Sequence, residues 1–217
     1  MKLTIVYDNE IFKKGFGLRS DWGFSCLIET KNENILFDTG AKGKILLNNM
    51  EKLGIDPSNI KKIIISHEHW DHDGGLKRLV PLVDDLEVYR LENELSQKNM
   101  VIKIVDNAQK ISDGIYTTGR LKGDPVDEQS LVIKGEKGCY VLTGCSHSGV
   151  GQIFNAARQF GDIVGLIGGL HGFNDFSFLD DLDIICPCHC TKYKQQIKNI
   201  YQTKLIEGGV GQVISII

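Results

Sequence analysis

The chain has 217 residues, 41% of them hydrophobic and 24% charged, and a formal net charge of −3. That length fits one large domain with a full hydrophobic core, and the slightly acidic balance excludes general attraction to nucleic acid or to an anionic membrane. Met1–Asp8 alternates like a strand and lacks the apolar core and cleavage site of a signal peptide, and no apolar run approaches the ~20 residues that span a bilayer. A cytoplasmic protein is expected, with its six cysteines serving as thiols or ligands rather than disulfides.

Taken in order, Leu3–Tyr7 reads as a strand and Asp8–Trp22 as a loop, because it holds Gly15 and Gly17 and shows no period. Gly23–Thr30 and Ile35–Asp38 form an expected hairpin that ends in Phe37-Asp38-Thr39-Gly40. Lys42–Leu53 has helical spacing, with Gly54 as its stop. Strand Lys61–Ile65 follows, then a helix from about His72 to Leu79 that Pro81 ends, and a short strand at Leu86–Tyr89. Leu91–Lys98 is polar and weakly helical. Val101–Val105, Ile115–Thr118 and Leu131–Lys134 alternate as strands, and Gly138–Leu142 is another strand. Beyond them come helix Gly149–Phe160, strand Ile163–Ile167, helix Ser177–Leu182, strand Ile184–Cys186, helix Lys192–Tyr201, and strands near Lys204–Ile206 and Gly211–Ile216. Periodicity by itself specifies a layered α/β protein, with no repeat or linker to divide it.

The chemistry concentrates where the β-branched run Ile63-Ile64-Ile65 stops in Ser66-His67-Glu68-His69-Trp70-Asp71-His72-Asp73-Gly74-Gly75. A buried strand that ends so abruptly delivers its ligands at the edge of a sheet, where sites form in α/β folds. Imidazole and carboxylate suit zinc and other first-row metals. His67 and His69, two apart in extended chain, project to one side, and Asp71 and His72 follow where a helix begins. The alternative, a polar loop in which Asp71 or Asp73 caps the helix, leaves the interleaving of histidines with a carboxylate unexplained.

The other three histidines, His147, His171 and His189, each lie just past an apolar strand-like run, in Gly144-Cys145-Ser146-His147-Ser148-Gly149, Gly168-Gly169-Leu170-His171 and Cys186-Pro187-Cys188-His189-Cys190-Thr191. No histidine falls on a helix face. Gly-x-Ser-x-Gly is absent, which removes serine-hydrolase chemistry.

The order H-x-H-x-D-H resembles the signature of the metallo-β-lactamase superfamily. The later motifs resemble its branch containing the dihydropterin ribofuranosylaminobenzene phosphate synthases. The resemblance implies an αββα sandwich of two mixed β-sheets flanked by helices, as a single domain over residues 1–217. It implies that the Asp38-Thr39-Gly40 turn supports the metal loop, and that His67, His69 and His147 hold one metal while Asp71, His72 and His189 hold a second. Where many members place a bridging Asp, this chain has Gly-Gly-Leu-His, so His171 is either a terminal ligand or a neighbouring acid/base group, and one or two divalent ions remain open. Zinc is favoured, with iron or manganese as alternatives.

The expected function is a metal-dependent hydrolase in which a metal-activated water attacks a carbonyl or phosphoryl centre of a small substrate, without nucleic-acid or membrane partners. Asp71 would orient the water and His171 would protonate the leaving group. Loss of the bridging carboxylate points to an anionic substrate, to which Lys42 and Lys44 add if they are not simply solvated surface lysines, the more ordinary reading. Two alternatives remain: a pterin-related C–N bond-forming synthase, and an iron redox protein whose cluster sits on Cys186, Cys188 and Cys190 with Cys145 or Cys139. In extended chain those three thiols would share one face, with His189 on the other. The bland reading of the cysteines is core packing.

Overall fold

A computed structural model describes residues 1–93 and 99–216 of the chain. They form two compact units, residues 1–105 with 208–216, and residues 106–207. The first contains β1 (Lys2–Tyr7), β2 (Ser25–Glu29), β3 (Asn34–Phe37), α1 (Gly43–Leu53), β4 (Ile60–Ile64), α2 (Trp70–Asp73), α3 (Leu76–Leu79), β5 (Leu86–Arg90) and β6 (Met100–Ile104). These strands and the final strand, Val213–Ser215, make a seven-stranded sheet in the order final strand, β1, β2, β3, β4, β5, β6. It is antiparallel as far as β3 and parallel from β3 to β6. The change of direction follows from the connections. β2 and β3 are joined by a tight turn, in which Thr30 Oγ1 donates to Glu33 O at 2.8 Å, whereas parallel neighbours need a crossover such as α1.

Helix α1 buries Leu46 and Met50, one turn apart, in a core with Leu36, Ile63, Ile65 and Val88. Each such side chain contributes about 2 kcal/mol by leaving water. Gly54 closes the helix in the left-handed region at φ 72°. Asn49, on the same helix, is also buried. Its Nδ2 donates to Val6 O at 2.9 Å and to Arg19 O at 2.8 Å, which pins the long loop 8–22.

The second unit contains β7 (Asn107–Ser112), β8 (Ile115–Gly119), β9 (Leu131–Lys134), β10 (Cys139–Thr143), α4 (Val150–Ala157), β11 (Ile163–Gly169), β12 (Ile184–Cys188) and α5 (Lys194–Ile200). Its six-stranded sheet runs β12, β11, β10, β9, β8, β7, parallel among β10, β11 and β12 and antiparallel beyond. Val150, Ile153, Phe154 and Ala157 of α4 and Ile197 of α5 pack with Val141, Leu166 and Ile185 of the parallel strands. Both sheets are therefore mixed and flanked by helices, as expected.

Four local expectations change. Strand β7 was not foreseen, because only Ile111 of its six residues is buried and it lies at the sheet's edge, where no alternation marks it. Ser177–Leu182 is not an α-helix but one 3-10 turn, Phe176–Leu179, and Lys204–Ile206 makes only a bridge from Leu205 to Ile185. The helix expected over His72–Leu79 starts earlier, at Trp70, and breaks at Gly74-Gly75. At that break Gly75 N donates to Gly40 O at 3.0 Å rather than to the preceding turn, and the backbone passes so close that a Cβ on Gly74 would stand 2.3 Å from Ala41 O and one on Gly75 2.2 Å from Thr39 O, so only glycine fits. Of the weak helix at Leu91–Lys98, residues 94–98 lie outside the described residues, and 91–93 are not helical.

Candidate metal centre

In the first unit the ligand-rich stretch leaves the carboxyl end of β4, between the parallel strands β3 and β5. Ile63, Ile64 and Ile65 are fully buried, and so are His67 and His72. His69 is half-buried, and Asp71 is buried at the first turn of α2. The Asp38-Thr39-Gly40 turn grips this stretch: Thr39 N and Thr39 Oγ1 donate to His72 O at 2.6 and 3.0 Å, and Gly75 N donates to Gly40 O at 3.0 Å.

The carboxylate of Asp38, itself at φ 56°, accepts from Ser66 N at 2.7 Å, from Ser66 Oγ at 2.8 Å and from His72 Nδ1 at 2.7 Å. This arrangement decides two tautomers. His72 must carry its proton on Nδ1 to donate to a carboxylate, which leaves the lone pair on Nε2. The single hydroxyl proton of Ser66 goes to Asp38, so Ser66 Oγ accepts from His67 Nδ1 at 2.9 Å, and the lone pair of His67 is likewise on Nε2. His67 Nε2 lies 3.0 Å from His69 Nδ1. Two nitrogens on one tetrahedral zinc, each at about 2.0–2.1 Å, stand roughly 3.3 Å apart. Donor type, tautomer and spacing thus fit a metal ion. Asp71 Oδ2 lies 3.8 Å from His72 Nε2.

Arg90 is buried at the end of β5 and holds the flank of the same stretch. It donates from Nε to Glu68 Oε1 at 3.1 Å, from Nη2 to Glu68 Oε2, and from Nη2 to Asp73 Oδ2 at 3.5 Å. Lys42 is an exposed surface lysine paired with Asp21 at 2.7 Å, and the hydrogen bond it donates, together with its charge, lowers the Asp21 pKa.

In the second unit, the three parallel strands β10, β11 and β12 end side by side, with Thr143 paired to Gly168, and Gly169 to Cys188. Their carboxyl ends carry His147, His171 and His189. The turns are cross-linked: Ser146 Oγ donates to Gly169 O at 2.9 Å, Leu170 N to Thr191 Oγ1 at 3.0 Å, and Lys192 N to His171 O at 2.8 Å. Ser146, His171 and His189 all adopt positive φ, at 63°, 42° and 43°, a conformation concentrated at functional turns. The rings of His147 and His171 are 5.1 Å apart. His189 is buried, His147 is half-buried and His171 is exposed.

The turn bearing His147 closes around the buried carboxylate of Glu128, which accepts the successive N–H groups of Cys145, Ser146 and His147 at 2.8, 3.1 and 2.5 Å. Sequence reading missed Glu128, as it missed the role of Arg90. Nothing in Val126-Asp127-Glu128-Gln129 distinguishes a buried carboxylate from an exposed turn acid.

The cysteine expectation also changes. Cys186 and Cys188 share one face of β12, with sulfurs 3.8 Å apart. Cys190 does not join them, because the strand ends at Cys188 and His189 turns the chain. Its sulfur lies 3.1 Å from that of Cys145 instead. Ligand atoms of Cys145, His189 and Cys190 lie within 4.8 Å of one another.

The family model of the metallo-β-lactamase superfamily matches residues 23–154. An uncharacterized protein of Methanocaldococcus jannaschii is 28% identical, over 99% of this chain and 100% of its own. The 7,8-dihydropterin-6-methyl-4-(β-D-ribofuranosyl)-aminobenzene-5′-phosphate synthase of the same organism is 25% identical, over 82% of this chain and 83% of its own. Among solved structures, a metal-dependent hydrolase of the β-lactamase superfamily aligns with a TM-score of 0.79 and 25% identity, covering 100% of this chain and 99% of that one. The chain belongs to the metallo-β-lactamase superfamily and has its fold.

Proposed function

We propose that this superfamily member is a metal-dependent hydrolase of small anionic substrates, phosphate esters or acyl compounds. The observation that carries the reading is the Asp38 carboxylate, which through Ser66 and His72 fixes the Nε2 lone pairs of two buried histidines, that of His67 on the side of His69 Nδ1 and that of His72 on the side of the Asp71 carboxylate. A purely structural histidine cluster needs no such control of tautomer. Carrying the family's ligands onto this chain, His67, His69 and His147 would hold one divalent ion, and Asp71, His72 and His189 a second. Zinc is the preferred ion for this donor set, with iron or manganese as alternatives. Such an ion supplies Lewis acidity and a water acidic enough to lose its proton near neutral pH.

The residues divide the remaining work. Asp71 orients the attacking water, and His171, exposed beside His147, donates a proton to the leaving group. The substrate would be a free small molecule rather than a nucleic acid or a lipid surface, and the setting cytoplasmic. Among the described residues no helix is long and apolar enough to cross a membrane. One domain over residues 1–217 would carry the whole activity.

A second reading has its own support. The synthase relative covers most of the chain, which favours C–N bond formation with an anionic leaving group. Metal analysis of protein purified without added metal, followed by a panel of phosphomonoesters, phosphodiesters, thioesters and lactones, separates the readings. Turnover is expected to disappear with chelator, to return with metal, and to be absent in His67→Ala. If no substrate distinguishes wild type from His67→Ala under zinc, manganese or iron, the hydrolase reading fails.

A further inference from the structure

We propose that Cys145 and Cys190 form a reversible disulfide, a thiol–disulfide switch set between the histidine-bearing turns of the second unit. Their sulfurs lie 3.1 Å apart although the residues are 45 positions apart in sequence. Cys190 reaches this place because β12 ends at Cys188 and His189 adopts φ 43°, which folds the next residue back over the Gly144-Cys145 turn. Cys190 Sγ also lies 4.0 Å from Cys145 O. Gly169 makes the room, since a Cβ there would stand 2.8 Å from Cys190 Sγ. Cys145 is buried and Cys190 is partly exposed, so an external reagent meets Cys190 first.

The oxidant is a low-molecular-weight disulfide. The Cys190 thiolate attacks one of its sulfurs, forming a mixed disulfide and releasing one small thiol. The Cys145 thiolate then attacks Cys190 Sγ and releases the second. The two protein thiols lose two electrons and two protons, and the small disulfide takes up both. A disulfide bond of about 2.05 Å draws the sulfurs together by about 1 Å from their present separation. His147 lies two residues after Cys145, and His189 immediately before Cys190. Metal–ligand distances in a well-formed site keep within about 0.2 Å of their usual values, so a shift of this size beside two of the proposed ligands works against that geometry. The disulfide form therefore holds metal more weakly. This consequence rests on the proposed function, whereas the disulfide itself does not.

The test uses the full chain, freed of metal and incubated with oxidised glutathione, then acid-quenched, alkylated, digested with trypsin and analysed by mass spectrometry. The expected result is peptide Gly138–Arg158 linked to Gln159–Lys192, reversed by dithiothreitol, absent in Cys145→Ser and Cys190→Ser and present in Cys139→Ser. No linked peptide in wild type, or one that persists in Cys190→Ser, overturns the disulfide. Zinc titration of the reduced and oxidised wild type should show at least tenfold weaker binding after oxidation. Equal affinities overturn the coupling to metal. Loss of zinc binding by reduced Cys145→Ser overturns the switch, because the thiol is then a ligand. If neither form of the wild type binds zinc, the proposed function fails, and the linked peptide still decides the disulfide.

Discussion

Replacing Asp38 by Asn tests the tautomer argument most directly. Asn is chosen over Ala because residue 38 sits at φ 56°, a conformation Asn tolerates. The amide oxygen can still accept from Ser66 N, as Oδ1 does now at 2.7 Å. The amide nitrogen, however, replaces Oδ2 and faces the two donors that now approach to 2.8 and 2.7 Å, Ser66 Oγ and His72 Nδ1. Both must reorient. His72 then places its lone pair on Nδ1 and its proton on Nε2, the atom proposed to bind metal. Each charge-assisted hydrogen bond is worth about 1.5–3 kcal/mol, and rearrangement recovers part of it, so a loss of about 3 kcal/mol in stability is expected. Zinc affinity should fall by about 10–100-fold, the usual effect of removing a partner that orients a ligand. Competition against a chromophoric chelator measures the affinity, and urea unfolding of the metal-free variant measures the stability. A folded Asp38→Asn protein with wild-type zinc affinity would refute the claim that Asp38 controls these histidines.

Glu128→Gln should cost about 2–3 kcal/mol and Glu128→Ala more, because three N–H donors lose an ionised acceptor; chemical denaturation gives the order. Arg90→Met should destabilise by about 3–5 kcal/mol by leaving the Glu68 charge uncompensated, and adding Glu68→Gln should restore much of that in a double-mutant cycle. A double variant whose loss equals the sum of the two single losses would show that the pair is not coupled. Gly168→Ala should give little folded protein, since its Cβ would stand 1.9 Å from Thr143 O at φ 119°; soluble, cooperatively unfolding Gly168→Ala would contradict that geometry. Cys186→Ala/Cys188→Ala should retain the histidines' metal and lose about 1–3 kcal/mol through packing alone, as judged by thermal unfolding beside metal analysis.

The sequence by itself determined the histidine-bearing stretches and most of the elements that present them. His67, His69, Asp71 and His72 are neighbours in the chain, and the apolar run before them can only be a buried strand. Their chemistry is therefore local, and so are the short apolar runs that identify β9, β10 and β11. Edge strand β7 escaped because a largely solvent-facing strand carries no hydrophobic period, and the break at Gly74-Gly75 was invisible because it depends on Gly75 N meeting Gly40 O, 35 residues away.

The groups that hold these histidines in place were decided only by tertiary structure. Asp38 meets His72 across 34 residues, Arg90 meets Glu68 across 22, Glu128 meets His147 across 19, and Cys145 meets Cys190 across 45. Each meeting depends on which strands lie side by side and in what register, a property of pairing between distant segments that no local pattern encodes. A buried carboxylate and a surface one are the same letter in a sequence. Only the sheet around Asp38 and Glu128 removes the water from them, and with it the alternative partners that would leave the histidines free to turn.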